Sequence, residues 1–537
     1  MIERTSTKKG GWSMSLTVVE LIRQVEHTYR GRIAVEDLNG RSLTVADVRA
    51  RSNRVANGLM AAGLRPGDGV MYLGRNHLEY VELEWGIAKA GLVRIPLYHQ
   101  LSERDLTRAV ELTGARAILA DEEAATNGRL DRLLDAFELR LVLGSAPGWV
   151  SYEDWLAKGA AADVSVPVDP EQAYHIRMTS GSSGLPKGIV VSHRAARAAI
   201  LGNHFVLNRE GFEARPRTLQ QAPVTLASGW TILPTLLSGG TNILAGRFDP
   251  ERAARTIVDT GTTWSFVVPT MLRMITQAGA GAALRDSRLS VLAYGGEPAP
   301  VDAMEDLLSH TDALVNAYGQ TETPSWTLVL GRADHRHREL WGAAGRAIPG
   351  LEAGVVGQDG EVVFDEGATG ALVLRGANIC SAILGDESSY RERLLDGGWW
   401  RTGDTATLDH DGIVRLVGRE SEMIIRGGSN VHPAEIEAVL GSHEAVYEVA
   451  VVGVADPLWG EVPVALVSAP RADEHTEAAL EAWAKTHLAG PKRPDRIIVT
   501  TDALPRADAD SKVSKILAKA LVQERLADDG QTEGGVG

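Results

Sequence analysis

Strand-like and helix-like runs alternate along most of this chain, and that alternation restricts the fold more than any other feature. Val45, Val48, Val55 and Leu59 recur at spacings that share one helical face. The turn "RPGDG" and the strand-like "VMYLG" follow, then "AGLVRIPL", "RAILA", "RLVLG" and "GIVVSH", the last leading into "RAARAAILGN". "TTWSFVVPTMLRMI" and "RLSVLAYGGEPAP" repeat the scheme, each strand ending in Pro or Gly. Alternation at this spacing predicts parallel βαβ units and an α/β fold. Between about 350 and 420 the texture changes to short β-like pieces, "EVVFDE", "GALVLRG" and "GIVRLVGR", separated by Gly and Asp turns, as in a small antiparallel region. After Glu422 comes a compact α+β alternation with Pro433 at a helix start. The expected organisation is a disordered N-terminus over 1–14, a large domain over 15–421, a smaller mobile domain over 422–522 and a disordered tail over 523–537, where "DDGQTEGGVG" has no apolar periodicity.

With 537 residues the chain exceeds one compact core. A formal charge of −15 argues against general nucleic-acid binding, which needs a basic face, yet allows a local basic pocket for a phosphorylated small molecule. The single cysteine, Cys380, excludes an intrachain disulfide and a cysteine metal cluster. No apolar run approaches a membrane span, and the N-terminus lacks the apolar segment of a secretory signal, so the expected compartment is the cytoplasm.

The chemistry is concentrated in a few loops. "TSGSSGLPKG", from Thr179 to Gly188, is rich in glycine and hydroxyls and ends in a lysine. Such a loop lets backbone N–H groups approach a phosphate while an ammonium supplies charge, although Gly/Ser clusters also serve as plain turns. It is not a Walker loop, because Pro186 precedes Lys187 and Gly188 follows it. Four further stretches stand in order: "NAYGQTETP", "GGWWRTGDTATLDHDG", "VGRESEMIIRGGSNVHPAEIE" and "LPRADADSKVSK". Taken singly they read as a turn, a β-hairpin, a helix start and a surface lysine cluster.

Taken together, over about residues 43–520, they resemble the adenylate-forming superfamily of acyl-CoA synthetases, luciferase-like enzymes and peptide-synthetase adenylation domains; "FDPERAARTI", "VPTMLRMI" and "GAAGRAIPG" add to the likeness. The resemblance implies that a carboxylate attacks the α-phosphate of ATP, with no protein nucleophile, so the protein positions reactants and neutralises charge. Thr179, Ser180, Gly181, Ser182, Ser183, Gly184 and Lys187 would hold the phosphates. Gly296, Glu297 and Pro298 would form the adenine-side loop, with Tyr318 stacked on adenine beside Gly319. Thr321 would touch the α-phosphate, Glu322 would ligate Mg²⁺, and Asp404 with Arg419 would take the ribose. Lys512 would be the catalytic lysine and Glu422 a hinge.

The departures are specific. Ser421 and Glu422 stand where the family usually has Lys-Asp, Ser511 rather than glycine precedes Lys512, and the interval from the "LPR" proline is one residue longer than usual, which leaves Lys515 as a minor candidate. For the acceptor, "APVTLASGW" has no acidic residue to anchor an α-amino group, and coenzyme A is the expected thiol. Gly428, Trp459, Lys492 and Arg493 would meet it, the alternative for Trp459 being a packing role. Leu226, Trp230, Tyr294, Gly295 and Trp326 would line the acyl pocket, whose small groups near Leu226 suit a bulky or polycyclic acid. The expected function is an AMP-forming acyl-CoA synthetase using ATP, Mg²⁺ and CoA, with room for a homodimer. The alternatives are a non-catalytic nucleotide- or acyl-binding relative, for which Ser421 and Ser511 would be the evidence, an adenylating enzyme with a carrier-protein acceptor, and a light-producing oxidase.

Overall fold

The helix Val45–Ala61 shows how locally the sequence sets its elements. Thr44 and Asp47 form a reciprocal capping box, the Thr44 hydroxyl accepting the Asp47 N–H at 3.1 Å and the Asp47 carboxylate accepting the Thr44 N–H at 2.9 Å. Val45, Val48, Val55 and Leu59, the four residues of the predicted apolar face, are at most 1% exposed. A computed structural model describes residues 17–164, 166–180, 186–297, 299, 301–357, 359–506 and 513–533. Its contacts divide the chain into two compact units. The first holds residues up to Arg336 with Ile348–Leu351 and Gly376–Glu392; the second holds His337–Ala347, Glu352–Arg375 and the chain from Arg393 onward.

The first unit contains two mixed sheets. One runs in the order Ala382–Leu384, Pro186–Ser192, Ala173–Ser180, Val93–Leu97, Gly69–Leu73, Ala117–Asp121, Leu139–Leu143, Val150–Ser151. It is parallel from Ala173–Ser180 through to Val150–Ser151, as the βαβ alternation predicts, and antiparallel at the Pro186–Ser192 edge. In the other, Ile33–Asp37 pairs in parallel with Thr241–Leu244, Val35 facing Asn242, and the parallel run continues through Arg217–Gln220, Trp264–Val267, Val291–Tyr294 and Leu314–Tyr318. Leu328–Leu330 then turns back antiparallel on Leu314–Tyr318. Central strands such as Gly69–Leu73 and Val93–Leu97 are buried at every position, as strands covered on both faces must be.

In the second unit, Trp399–Leu408 pairs antiparallel with Thr369–Gly376 and Val414–Arg419, the small β region expected there. Within "EVVFDE" only Val362–Val363 is strand. The C-terminal sheet contains Ser429–Val431, Ile424–Arg426, Gly460–Ser468 and Glu448–Asp456, with Arg496–Thr500 parallel to Gly460–Ser468. Its alternating side chains serve two cores. Val451, Ala465 and Val467 pack with Ile436, Leu440 and Leu480 of the helices Pro433–Gly441 and Thr476–His487; Ala450, Val452, Val464 and Leu466 pack with Ala518 and Val522.

One expectation is corrected. The helix Lys515–Glu533 runs well into the stretch 523–537 read as a disordered tail. Aperiodic polarity hid it, and Ala518 and Val522, both 0% exposed, anchor its first turns. The N-terminal stretch 1–14 and residues 534–537 lie outside the described residues.

Candidate active site

In the first unit the phosphate-loop residues sit on a hairpin. Ala173–Ser180 and Pro186–Ser192 pair antiparallel with Thr179 facing Lys187 and Met178 facing Gly188. Gly181, Ser182, Ser183 and Gly184, and the Ser180 side chain, lie outside the described residues. The Lys187 ammonium is held by Asp386, which follows the strand Ala382–Leu384 on the far side of Pro186–Ser192. That hydrogen bond draws the Asp386 carboxyl below its usual range. Asp386 stands about 200 residues from its partner, so no local signal could have revealed it.

The second element is the loop 319–326. Thr327 closes it by donating its N–H (2.8 Å) and hydroxyl (3.1 Å) to the Tyr318 carbonyl. Gly319 is required here, because a Cβ at that position would run into the Ser325 carbonyl, and Ser325 itself adopts a left-handed φ of 75°. The Cys380 N–H holds the Glu322 carbonyl at 2.8 Å. The backbone is thereby fixed while the half-buried Glu322 carboxylate has no hydrogen-bond or ion-pair partner among the described residues. A carboxylate left uncommitted on a pinned loop, next to the unpartnered Thr323 and Ser325 hydroxyls, suits a hard cation that takes oxygen ligands.

The adenine-side loop differs in part from expectation. Gly296 takes a φ of 98°, as a glycine turn requires. The Glu297 carboxylate, however, accepts the Thr270 N–H at 3.0 Å and the Thr270 hydroxyl at 2.7 Å. It satisfies a free donor at the start of the helix Pro269–Gln277 and so positions the loop rather than facing a ligand. Pro298 lies outside the described residues.

Among the expected acyl-pocket residues, Trp230 is 7% exposed and stacks on His175 (5.3 Å between rings, 29°), and Trp326 is 3% exposed and stacks on Phe266. Leu226 is 37% exposed. Tyr294 is a correction in kind. It is 1% exposed and its hydroxyl donates to His335 Nε2 at 2.9 Å, a tautomer assigned because His335 Nδ1 donates to the Gly331 carbonyl at 2.8 Å. Its side chain packs the core, and burial pushes its hydroxyl pKa up. Gly295 is needed for close approach, as a Cβ there would meet the Ala317 carbonyl.

In the second unit Asp404 and Arg419 face each other across two antiparallel strands, Arg419 Nε 3.4 Å from the Asp404 carboxylate. Asp404 is buried, with its side chain 8% exposed against 59% for Arg419. The register therefore sets a buried acceptor beside an exposed donor, the pairing a sugar diol needs. Glu422 ends the short turn Glu420–Glu422, within this unit, and lies 3.9 Å from Lys515. Lys515 is bound chiefly to Glu437 and donates to the Val451 carbonyl at 3.0 Å, a structural tie. Ser511 and Lys512 lie outside the described residues; on either side of them Arg506 and Val513 pair as a bridge.

Trp459 is 46% exposed, so its ring is half covered, by Gly427 among others, and half open. Its N–H donates to Asp456 at 2.8 Å, its carbonyl accepts the Gly427 N–H at 2.8 Å, and Arg426 lies over its ring at 5.9 Å. Gly428, with a φ of 82°, follows Gly427 in the turn between Ile424–Arg426 and Ser429–Val431. Lys492 pairs with Glu435 at 2.6 Å near the surface. Arg493 differs from expectation: its guanidinium donates to the Lys485 and Leu488 carbonyls, both at 2.9 Å, and caps the helix Thr476–His487. Among the described residues Glu366, Asp409 and His410 also bring three possible cation ligands together near the surface, and no helix is long and apolar enough to cross a membrane.

Parallel α/β sheets bearing a glycine-rich hairpin and a pinned acidic loop, followed by a small α+β fold, describe an ATP-dependent ligase. The chain belongs to the AMP-binding enzyme family: the model of the AMP-binding enzyme matches residues 22–384, and that of its C-terminal domain matches residues 435–509. Among curated relatives, the feruloyl-CoA synthase of an Amycolatopsis species is 36% identical over 87% of this chain and 91% of its own length. The fatty acid–[acyl-carrier-protein] ligase of Streptomyces coeruleorubidus is 33% identical over 90% and 91%. Among solved structures, the amide bond synthetase of Marinactinospora thermotolerans superposes with a TM-score of 0.83 at 27% identity, over 94% of this chain and 99% of that one.

Proposed function

We propose that this chain is an AMP-forming acyl-CoA synthetase acting on a carboxylic acid that is not an α-amino acid. In the first step the acid's carboxylate oxygen bonds to the α-phosphorus of ATP and the bond to pyrophosphate breaks, giving acyl-AMP. In the second, the CoA thiol loses its proton and attacks the acyl carbon, and AMP leaves. The observation that carries the reading is the uncommitted Glu322 carboxylate on its pinned loop, next to Thr321. When Mg²⁺ is bound, Glu322 is its ligand and the ion offsets phosphate charge. Thr179, Lys187 and the glycine-rich stretch between them hold the phosphates, and Lys187 exchanges Asp386 for them. Asp404 accepts from the ribose hydroxyls and Arg419 supports it. Lys512 spans the incoming carboxylate and the α-phosphate, where a compact ammonium lowers the repulsion between two anions. Trp459, Gly428 and Lys492 form the CoA face, the exposed indole supplying a stacking surface.

Likeness to a fatty acid–[acyl-carrier-protein] ligase supports a second reading, in which the thiol belongs to a carrier protein. One experiment separates these. A panel of acids is incubated with ATP, with and without CoA, pyrophosphate is followed, and products are identified by mass. AMP, pyrophosphate and a CoA thioester are expected. Acyl-AMP that CoA never discharges favours the carrier protein, and ADP with inorganic phosphate overturns the adenylation chemistry itself.

A further inference from the structure

The strand leading into the phosphate loop carries a charge that the reaction above does not use. Along Ala173–Ser180 the side chains of His175, Arg177 and Thr179 follow the two-residue repeat and share a face. At one end His175 stacks on Trp230, and at the other Thr179 enters the loop opposite Lys187. Arg177 lies between them, half-buried, with no carboxylate or hydrogen-bond partner for its guanidinium among the described residues. The titratable groups that act on it are Tyr80, whose hydroxyl donates to the Val224 carbonyl at 3.3 Å, and Arg94, a second cation.

Arg94 has a counterion of its own. It lies directly across the sheet from His175 and holds Glu84 at 2.5 Å, and the same Glu84 oxygen accepts the Tyr174 hydroxyl at 2.5 Å. Of the two cations, Arg177 is therefore the one with no ion-pair partner among the described residues. Withdrawal from water pushes the Arg177 guanidinium down to about 10, which leaves it charged at neutral pH. Two buried donors nearby are also without acceptors. His175 Nδ1 accepts from Arg94 at 3.0 Å, so Nε2 bears the hydrogen, and it has no partner. The Thr225 hydroxyl, next to Val224, has none either, and both residues are 2% exposed. A half-buried cation without a protein counterion, beside buried donors without acceptors, is not explained by packing alone. A ligand rich in acceptors would complete it.

We propose that Arg177, with His175 beside it on the same strand face, forms a subsite for a second anionic group on the acid, so that the preferred substrates are dicarboxylic acids. The proposal rests on the acyl-adenylating function and narrows its substrate class. One carboxylate is adenylated; the other stays ionised and is neutralised by Arg177. The test compares an aromatic dicarboxylic acid with its monoester, both carrying one free reacting carboxylate, by pyrophosphate release and product mass. Wild type is expected to prefer the diacid at least about 10-fold in kcat/KM. Arg177→Met should lower the diacid value about 100-fold and leave the monoester within about 3-fold. Arg177→Lys should fall between, and calorimetry should show no loss of stability in Arg177→Met. Preference for the monoester by wild type, or an equal loss on both acids in Arg177→Met, overturns the subsite while adenylation stands. If wild type releases no pyrophosphate with either acid or with monocarboxylic acids, the adenylation reading falls and the subsite with it.

Discussion

Glu322 and the two C-terminal lysines are the residues on which the chemistry can be tested most directly. Glu322→Gln would remove the proposed metal ligand but keep the shape of the side chain. A metal's charge stabilisation is worth several kcal/mol, so pyrophosphate release should fall at least about 100-fold, and near-normal release would take the metal role away from Glu322. Lys512→Ala should abolish acyl-AMP formation while supplied acyl-AMP is still converted to thioester almost normally. Lys515→Ala should do the opposite of a catalytic variant. It strips the counterion from Glu437, whose side chain is only 21% exposed, so the melting temperature should drop while activity per folded molecule persists; an inactive but stable Lys515→Ala would move the catalytic assignment three residues along. At this scale the motifs singled out Glu322, Asp404 and Thr321 as candidates from the sequence alone. The partners that redirect Lys187, Glu297 and Arg493 were not, because Asp386, Thr270 and the carbonyls of Lys485 and Leu488 meet them only in the folded chain.

Among the elements, the loop 319–326 and the phosphate-loop hairpin matter most. Gly319→Ala places a methyl against the Ser325 carbonyl and forces the loop to open. The expected result is a lower melting temperature together with at least about 10-fold slower pyrophosphate release; unchanged values in both assays would show that the loop tolerates another path. The Lys187–Asp386 tie sets a pH dependence. Because Asp386 is held below its usual carboxyl range, the pair's contribution is complete above the ordinary carboxylate value near 4 and is lost as pH falls through the depressed one. Urea titrations from pH 6 downward, with Asp386→Asn as the reference, should converge only in that acidic range. Periodicity announced most of these strands and the helix Val45–Ala61. It missed the C-terminal helix Lys515–Glu533, where Ala518, Leu521, Val522 and Leu526 pack on the core but polar and charged residues stand between and beyond them.

For the whole molecule, the α/β class and the β-rich interlude followed from alternation, and the family resemblance supplied the two-domain plan. The contact-defined units cut the chain in several places, and Glu422 falls within the second of them. Long-range packing decides such divisions, and no linear reading contains it. If Glu422 is the pivot between adenylation and thioester formation, Glu422→Pro, which fixes φ there, should spare pyrophosphate release and slow thioester formation. Equal damage to both half-reactions would place the pivot elsewhere. The two are separated by single-turnover mixing of preformed acyl-AMP with CoA.

The pairing of Val35 with Asn242 has a consequence for how the protein is made. The strand Ile33–Asp37 leaves the ribosome about 200 residues before Thr241–Leu244. At ordinary elongation rates that is a delay of about 10–40 s. Throughout it an early strand has no parallel neighbour to sit on, and it offers an open edge to other nascent chains. Yield from rapid heterologous synthesis should therefore respond to chaperone supply and to growth temperature more than the native stability alone would suggest.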